Sequence, residues 1–446
     1  MKHRAQIELT SAEIEKTKCI SYVYKGINNS LTDPEFQAQH RLNEKAFTRK
    51  RDLPFERLVS FLMKPRSRST QTELQGLFAA IEGEAVPTAM PTAAAVSKAR
   101  RSLSESVFQA LNQQAIEQFL SGFGRPIWNG FRLFAVDGTT FQLPAGKDLE
   151  ASFGHQESGP TLARGSTLYD LDLRLVVDFR VAAYCVCERE LAIDHLTAAG
   201  PGDLLLYDRG YPAFWLFALH LMKGIDCVMR LPRHWHPASD AFWEGNASST
   251  LITLTPSKQQ ARACLDQGVE PTPITLRLVR VTLNGGETEI LATTVLEEER
   301  LPAHLFKALY HRRWGTEEGY KHDKQRAEIE NLSGRSPLAV RQDMHAKVLA
   351  MNLAAMLRAV AQQISERLYA ARRGTYQVRP STALANLSDQ LFRLLLLGAV
   401  ESLALLQRLV QSLSQAVEAV RPDRTFPRRN PKRRKAGFHM PYKRVV

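Results

Sequence analysis

The stretch from 202 to 232 restricts the fold more than any other part of the chain. It reads GDLLLYDRGYPAFWLFALHLMKGIDCVMRLP. A short apolar run ends at Asp208, a helical segment follows with Pro212 in its first turn and Gly224 just past its end, and a second apolar run comes next. Two strands joined by a helix within about thirty residues form a βαβ unit, whose strands are parallel. The sequence therefore predicts an α/β protein.

The predicted secondary structure changes along the rest of the chain. Strong helical patterns occupy 54–64 and 92–120. Alternating apolar runs at about 234–300, around an Asn284-Gly285-Gly286 turn, predict antiparallel strands inserted into the α/β region. We therefore predict a helical N-terminal domain, an α/β domain, a C-terminal helical region and a tail, with bounds 1–125, 126–350, 351–420 and 421–446.

Positive charge is concentrated at the C-terminus. The formal net charge is +13, and residues 421–446 contain ten Lys or Arg and one Asp, so this tail holds nine of the excess charges. Two interpretations stay open, a solvated tail or an arm that binds a polyanion, of which nucleic acid is the commonest in the cytoplasm.

The lengths of the apolar segments and the spacing of the cysteines argue against several classes of protein. No apolar run exceeds seven residues, which is too short for a membrane span, and the N-terminus MKHRAQIELT lacks the apolar core of a secretory signal. We therefore expect a cytoplasmic protein with no membrane contact. The five cysteines are scattered without a Cys-x-x-Cys pair, which argues against a disulfide framework or a zinc site. Cys185 and Cys187 are expected to be buried on one face of a strand.

Two aspartates follow apolar runs of strand length. Asp137 comes after Leu133 to Val136, and Asp208 comes after Leu204 to Tyr207. Ligands bind at the carboxyl ends of strands in open α/β sheets, so the two carboxylates would converge if these strands are neighbours. Either aspartate alone fits a turn or helix cap equally well.

A third acidic group lies in the sequence YHRRWGTEEGYKHDK at 310–324. At about 100° per residue, one helical face within an arc of roughly 60° carries Tyr310, Arg313, Glu317 and Lys324, whereas Glu318 faces elsewhere. An amphipathic helix with an Arg313–Glu317 surface pair explains this pattern. A surface that follows a nucleic-acid strand explains it too.

Taken together, these motifs resemble a known family. VDGT at 136–139, YDRGY at 207–211 and the spacing Y-x2-R-x3-E-x6-K from Tyr310 are similar to the three motifs of bacterial insertion-sequence transposases with an Asp-Asp-Glu triad. The last motif is typical of the insertion sequence 4 family with its Tyr-Arg-Glu-Lys signature. The resemblance implies a ribonuclease-H-like α/β core with an antiparallel β insertion, flanked by helical regions.

The resemblance also implies a site and a reaction. Asp137, Asp208 and Glu317 would be catalytic and would bind two Mg²⁺ ions, with Mn²⁺ able to substitute. The reaction would be cleavage at transposon ends followed by transfer of the 3′-hydroxyl into target DNA. The implied partners are double-stranded DNA, both terminal repeats and target, and a second copy of the chain in a homodimer on paired ends. A nucleoid-associated location in a bacterial cytoplasm follows.

DNA contacts are expected from basic and aromatic groups near these motifs. Phosphate contacts are assigned to Tyr310, Arg313, Lys324 and Arg209. Recognition of the terminal repeats is assigned to the N-terminal helices, where Lys98, Arg100 and Arg101 form a candidate recognition surface. A solvated basic face is the alternative for these last three residues.

Two other functions remain compatible with the sequence. One is a metal-dependent DNA nuclease that does not transfer strands. The other is a non-catalytic DNA-binding inhibitor derived from a transposase, although all three carboxylates are intact.

Overall fold

The computed structural model describes residues 7–49, 51–65, 68–156, 159–283, 286–313, 329–396 and 399–420. Glu317, Lys324 and the basic tail at 421–446 lie outside these residues. The chain forms two compact units. The sheet unit comprises 125–141 and 163–321, and the helical unit comprises 1–124, 142–162 and 322–446.

The sheet unit is built on one sheet of eight strands. Their bounds are β1 Arg132–Gln142, β2 Leu162–Asp170, β3 Val176–Ala183, β4 Asp203–Tyr207, β5 Asp226–Arg230, β6 Ser249–Leu254, β7 Ile274–Thr282 and β8 Thr288–Thr293. The strand order is β3-β2-β1-β4-β5-β8-β7-β6. β1, β4 and β5 are parallel, whereas β2 with β3 and the series β5, β8, β7, β6 are antiparallel. The mixed sheet confirms the predicted α/β class.

The predicted βαβ unit is present. A helix at Phe214–Lys223 connects the parallel strands β4 and β5, and it ends at Gly224 in the left-handed conformation with φ 64°. The position predicted for Pro212 is wrong, because Ala213 is extended and caps the helix, so Pro212 precedes the first turn. The apolar side chains of this helix pack with those of β4 and β5 in a buried core that includes Leu205, Phe217 and Met229. This core fixes the strand ends from which the candidate site is built.

Antiparallel strands occur in the predicted insertion. β6 and β7, and β7 and β8, pair in antiparallel register, with the turn around Gly286 between the latter two. β8 also pairs with β5, so the insertion extends the main sheet. The described part of the sheet unit also contains helices at Glu188–His195, Pro237–Glu244, Lys258–Asp266 and 306–313, the last preceded by a 3-10 turn at Ala303–Leu305.

The helical unit contains the predicted N-terminal and C-terminal helices. Their bounds are Ser11–Thr32, Pro34–His40, Phe55–Met63, Thr70–Glu82, Ala93–Arg100, Ser106–Phe123, Lys147–Phe153, Pro337–Tyr369, Pro380–Leu396 and Ala399–Ser414. A short antiparallel pair at Tyr376–Val378 and Val417–Ala419 interrupts the predicted helical region. Within the described part of the chain, no helix combines the length and apolarity that crossing a membrane requires.

Two local expectations are wrong. The single helix expected over 92–120 is two helices, because the amide of Ser104 donates to the carbonyl of His40 and Leu103 bridges Arg41, which breaks the helical ladder between them. Cys185 and Cys187 are exposed rather than buried, because β3 ends at Ala183 and the chain turns there before the next helix.

A buried histidine beneath the site predicts acid sensitivity. The Tyr207 hydroxyl bonds Nε2 of His220 at 2.9 Å, and Nδ1 of His220 bonds the carbonyl of Ile225 at 2.9 Å. Burial lowers the pKa of His220 to about 4, although the Ile225 contact opposes this. His220 binds a proton more readily in the unfolded state, so protonation favours unfolding. We expect the free energy of unfolding to be highest above pH about 6.5 and to fall by about 3 kcal/mol as the pH drops through 4.

Urea unfolding at a series of pH values measures this effect. His220→Gln keeps a polar side chain but removes the titrating ring, so its stability should lose the corresponding slope between pH 4 and 6.5. An unchanged slope in that variant would assign the acid sensitivity to another group.

Candidate active site

Asp137 and Asp208 occupy equivalent positions on adjacent parallel strands. The register between β1 and β4 runs to the pair Ala135 and Leu206, and each aspartate lies two residues further along its chain. Adjacent strands are about 4.8 Å apart, so the two carboxylates lie on the same part of the sheet edge. β4 ends at Tyr207, as expected for Asp208. β1 continues to Gln142, so Asp137 is not at the end of its strand but just past its paired section.

Tyr211 is a buried tyrosine whose hydroxyl is influenced by nearby acids. The side chain is only 2 % exposed. Burial, followed by the negative charges of Glu188, Asp137 and Asp208, raises the pKa of Tyr211 well above its usual value, while the Ser166 hydroxyl acts in the opposite direction. The Tyr211 hydroxyl therefore lies within electrostatic reach of three acids.

Glu188 is an acidic neighbour that the sequence analysis missed. Its carboxylate lies against Gly138, where a Cβ would come within 2.6 Å of Glu188 Oε2. Glu188 Oε1 also accepts from Nη1 of Arg164 at 2.7 Å. The glycine of the VDGT motif thus leaves room for this acid beside Asp137, a relation that the motif alone does not reveal.

Tyr310 attaches the signature helix at 306–313 to β4. The Tyr310 hydroxyl donates to the carbonyl oxygen of Tyr207 at 3.2 Å, one residue before Asp208. Burial raises the pKa of Tyr310 to about 12, partly offset by the charge of Arg313, and the Asp208 carboxylate adds to the rise. The start of the signature is therefore beside the second aspartate.

Arg313 packs on the same side of the helix. Its guanidinium carbon is 5.1 Å from the centre of the Tyr310 ring, and the side chain is 4 % exposed. The expected shared face of Tyr310 and Arg313 is thus present at its first two positions. Glu317 and Lys324 lie outside the described residues.

The two aspartates suit a divalent cation. Hard cations take carboxylate oxygens, and a concentration of like charge around Asp137 and Asp208 is what such an ion neutralises. Asp208 is oriented by the Gly210 amide, which donates to its Oδ1 at 2.8 Å. Among the described residues, no three acidic, histidine or cysteine side chains are grouped closely enough to hold a metal. Two of the three predicted ligands are described.

The predicted DNA-binding residues differ in accessibility. Arg209, Lys98 and Arg101 are exposed. Arg100 is 6 % exposed, and its guanidinium bonds the side chains of Gln342 and Asp343 at 2.8 and 2.9 Å. The guanidinium of Arg100 is thus committed to the interior of the helical unit.

A basic cleft in the helical unit was also missed by the sequence analysis. Its volume is about 680 Å³, and its lining includes the exposed cations Lys45, Arg49, Arg51 and Lys98 with one acid, Asp52. Three of these four cations, Lys45, Arg49 and Arg51, come from the connection between the second and third helices, which has no periodic pattern. Only the fold shows that this connection lies beside Lys98.

Comparison with known proteins identifies the class. The family model described as Transposase DDE domain matches residues 128–353, about half of the chain. The chain therefore belongs to the family of DDE transposases and is a catalytic transposase.

Individual relatives refine this result. The chain is 25 % identical over 352 residues to the transposase InsG for insertion sequence element IS4 of Escherichia coli strain K12, covering 74 % of this chain and 77 % of that protein. The motifs predict the same insertion sequence 4 type that this relative's name gives. A cryo-EM structure of the piggyBac transposase synaptic complex with hairpin DNA aligns at a TM-score of 0.42 and 12 % identity, covering 91 % of this chain and 86 % of that one.

Proposed function

We propose that this transposase cuts DNA at transposon ends and joins the freed 3′-hydroxyl to target DNA, which is cut-and-paste transposition. The observation that carries the proposal is the placement of Asp137 and Asp208 in equivalent register on β1 and β4. Phosphodiester cleavage and strand transfer require oxygen donors held this closely.

We infer that the sheet unit has a ribonuclease-H-like core. Five strands in the order β3-β2-β1-β4-β5, with β1, β4 and β5 parallel, support this inference. The aspartates then lie on two adjacent parallel strands, β1 and β4, and the β6–β8 strands form the insertion before the signature helix.

The proposed metal ligands are Asp137, Asp208 and Glu317. Two bound Mg²⁺ ions, or Mn²⁺ in their place, would activate the attacking water or 3′-hydroxyl and stabilise charge on the leaving oxygen. The three carboxylates would supply the oxygen ligands that hold these cations.

Basic residues near the acids position the DNA backbone in this proposal. Arg209 is exposed directly after Asp208 and binds a phosphate, as does Lys324. Arg313 supplies positive charge from beneath the surface. Because the Tyr310 hydroxyl donates to the carbonyl oxygen of Tyr207, the role of Tyr310 in this proposal is to attach the signature helix to β4.

The basic cleft of the helical unit is the proposed binding site for the transposon end. Four exposed cations against one acid create a positive surface, which suits phosphate contacts. Lys98 belongs to this cleft and Arg101 follows it on the chain, so the expected role of these two residues is kept. Arg100 is excluded because its charge is buried.

Neutralising two cleft residues should weaken end binding. We expect the double variant Arg49→Ala, Arg51→Ala to reduce the salt dependence of binding by about two units in the slope of log K against log salt. Fluorescence anisotropy with the terminal repeat at several salt concentrations measures it. The matched double variant Lys223→Ala, Lys258→Ala, which removes two exposed charges from the sheet unit, should bind normally. Equal slopes in all three proteins would exclude the cleft.

One assay tests the overall proposal. The protein is supplied with a pre-cut transposon end, target DNA and Mg²⁺. Joined products support strand transfer. Cut products without joining would indicate a nuclease, and a gel shift without either product would indicate a DNA-binding inhibitor.

The proposed assembly is a homodimer on paired ends, within the bacterial cytoplasm and on its nucleoid. Transfer of two ends to one target requires two active sites held together. Light scattering of the protein with terminal-repeat DNA should therefore give two chains per two DNA ends. One chain per end without pairing would contradict this assembly.

A further inference from the structure

The turn that carries Asp208 is closed by two backbone amides. The Gly210 amide donates to Asp208 Oδ1 at 2.8 Å, and the Tyr211 amide donates to the carbonyl oxygen of Asp208 at 3.3 Å. The peptide groups on both sides of Gly210 therefore turn back toward Asp208. The direction of the Asp208 carboxylate depends on how Gly210 is held.

Glycine suits position 210 because of the space beside Asp208. A Cβ at 210 would lie 3.1 Å from Asp208 Oδ1, which is tighter than ordinary van der Waals contact. Glycine also has more backbone freedom than any other residue. The residue that fits this turn is thus the one least able to keep it in a single conformation, and a contact from outside the turn can restrict it.

Arg189 supplies such a contact from another element of the sheet unit. Its Nε donates to the carbonyl oxygen of Gly210 at 2.8 Å. This carbonyl belongs to the same peptide group as the Tyr211 amide, so Arg189 and the Asp208 carbonyl bind the two polar atoms of one peptide plane. Fixing that plane restricts Gly210 on the side opposite to the amide that bonds the carboxylate.

The helix Glu188–His195, which carries Arg189, is itself firmly placed. Its last residue, His195, is fully buried and bonds Asp178 Oδ2 at 2.7 Å and Ser166 Oγ at 2.9 Å. These bonds attach the helix to β2 and β3. Arg189 therefore reaches the turn from a fixed support.

We propose that Arg189 is a positioning residue, whose guanidinium holds Gly210 so that the Gly210 amide keeps the Asp208 carboxylate directed toward a divalent cation. Loss of a group that orients a metal ligand typically lowers metal affinity or activity by about ten- to a hundred-fold. Arg189 acts through Gly210, so we expect the lower end of this range. The inference rests on the proposed metal-dependent function and adds a residue to its site.

The positive charge of Arg189 gives the test a sign. If only its charge mattered, removing a cation near acidic ligands would strengthen the binding of a metal ion. If Arg189 holds Gly210 in place, removing it weakens that binding. Arg189→Met removes the charge and the hydrogen bond together, so the direction of the change in metal affinity distinguishes the two roles.

Cation binding by the full-length protein without DNA measures this direction. Mn²⁺ titration followed by electron paramagnetic resonance gives the dissociation constant. Arg189→Met should raise this constant about ten-fold. Arg189→Lys keeps a charged donor of similar length, so it should recover most of the affinity. An Arg189→Lys protein that binds as weakly as Arg189→Met would reject a role based on donation to Gly210.

Arg57→Met is the matched control. Arg57 Nη1 donates to the carbonyl oxygen of Asp52 at 3.2 Å, which is the same kind of bond in the helical unit. Its removal should leave the dissociation constant for Mn²⁺ as in the unmodified protein. Thermal unfolding should show that all three variants are folded.

The outcomes separate the inference from the proposed function. If the unmodified protein binds Mn²⁺ and Arg189→Met binds it equally well or more tightly, the positioning role is overturned and the metal site stands. If the unmodified protein binds no Mn²⁺, the proposed function and this inference fall together. If Arg57→Met weakens binding as much as Arg189→Met, the effect is a general one of losing an arginine and the inference is rejected.

Discussion

Glu317→Gln is expected to reduce cleavage at the transposon end by at least about a thousand-fold. Glutamine keeps the shape of the side chain but removes the anionic oxygen that a hard cation needs. Losing several kcal/mol of transition-state stabilisation corresponds to a factor of this size. Helical periodicity predicts that the neighbouring Glu318 faces away from the side that carries Glu317, so Glu318→Gln should cleave at close to the normal rate.

The comparison between the two glutamates tests which face of the predicted helix carries the catalytic acid. Both variants carry the same chemical change one residue apart, so a general loss of charge cannot explain a difference between them. Cleavage of a labelled terminal repeat under single-turnover conditions measures the rate, and a gel shift checks that DNA is still bound. Similar losses at Glu317 and Glu318 would reject the assignment of the third acid.

Asp137 and Asp208 provide an independent comparison. Each lies past the section in which the adjacent strands β1 and β4 are paired, in the same register. Asp137→Asn and Asp208→Asn should therefore match Glu317→Gln in the loss of cleavage. A residual rate in one of them that is a hundred times higher than in the others would remove that residue from the triad.

Local patterns were sufficient to locate two of the acids. The apolar runs before Asp137 and Asp208 form strands through their own composition, and the βαβ connection makes β4 and β5 parallel. The pairing of β1 with β4 was a condition of the prediction, because strands 71 residues apart in sequence carry no local signal of their adjacency. The structure meets that condition.

Other features depend on contacts that no local pattern encodes. Glu188 reaches Gly138 because β3 and the following helix return to the sheet, and nothing in the residues around Glu188 distinguishes it from a solvated acid. Tyr211 belongs to a motif, yet the burial of its hydroxyl is apparent only in the folded protein. Cys185 and Cys187 show the converse error, since an apolar run was read as strand past the residue where the strand ends.

Arg100 shows how a pattern of basic residues can mislead. Three cations near the start of a predicted helix suggested one DNA-binding surface, and two of them are exposed. The third bonds residues more than 230 positions away, on the long helix Pro337–Tyr369 and in the segment before it. A helix that buries one cation and exposes its neighbours cannot be recognised from charge alone.

Asp343→Ala is expected to destabilise the helical unit by about 3–5 kcal/mol. Asp343 has a fully buried side chain that accepts from Arg100 Nη2 at 2.9 Å, from the Ser333 amide at 2.6 Å and from the Ser333 hydroxyl. Its removal leaves the Arg100 guanidinium buried without its counter-charge, which is the costly way to break a buried pair. Urea unfolding followed by circular dichroism measures the loss.

Two comparisons establish that burial is the cause. Asp266→Ala breaks the exposed pair with Arg262 and should cost less than about 1 kcal/mol, because solvent screens that pair. The double variant Arg100→Met, Asp343→Leu removes both charges together, so it should recover most of the stability lost in Asp343→Ala. If the double variant is instead as unstable as the sum of its single changes, the pair contributes nothing as a pair. The instability would then come from the Ser333 and Gln342 hydrogen bonds lost with it.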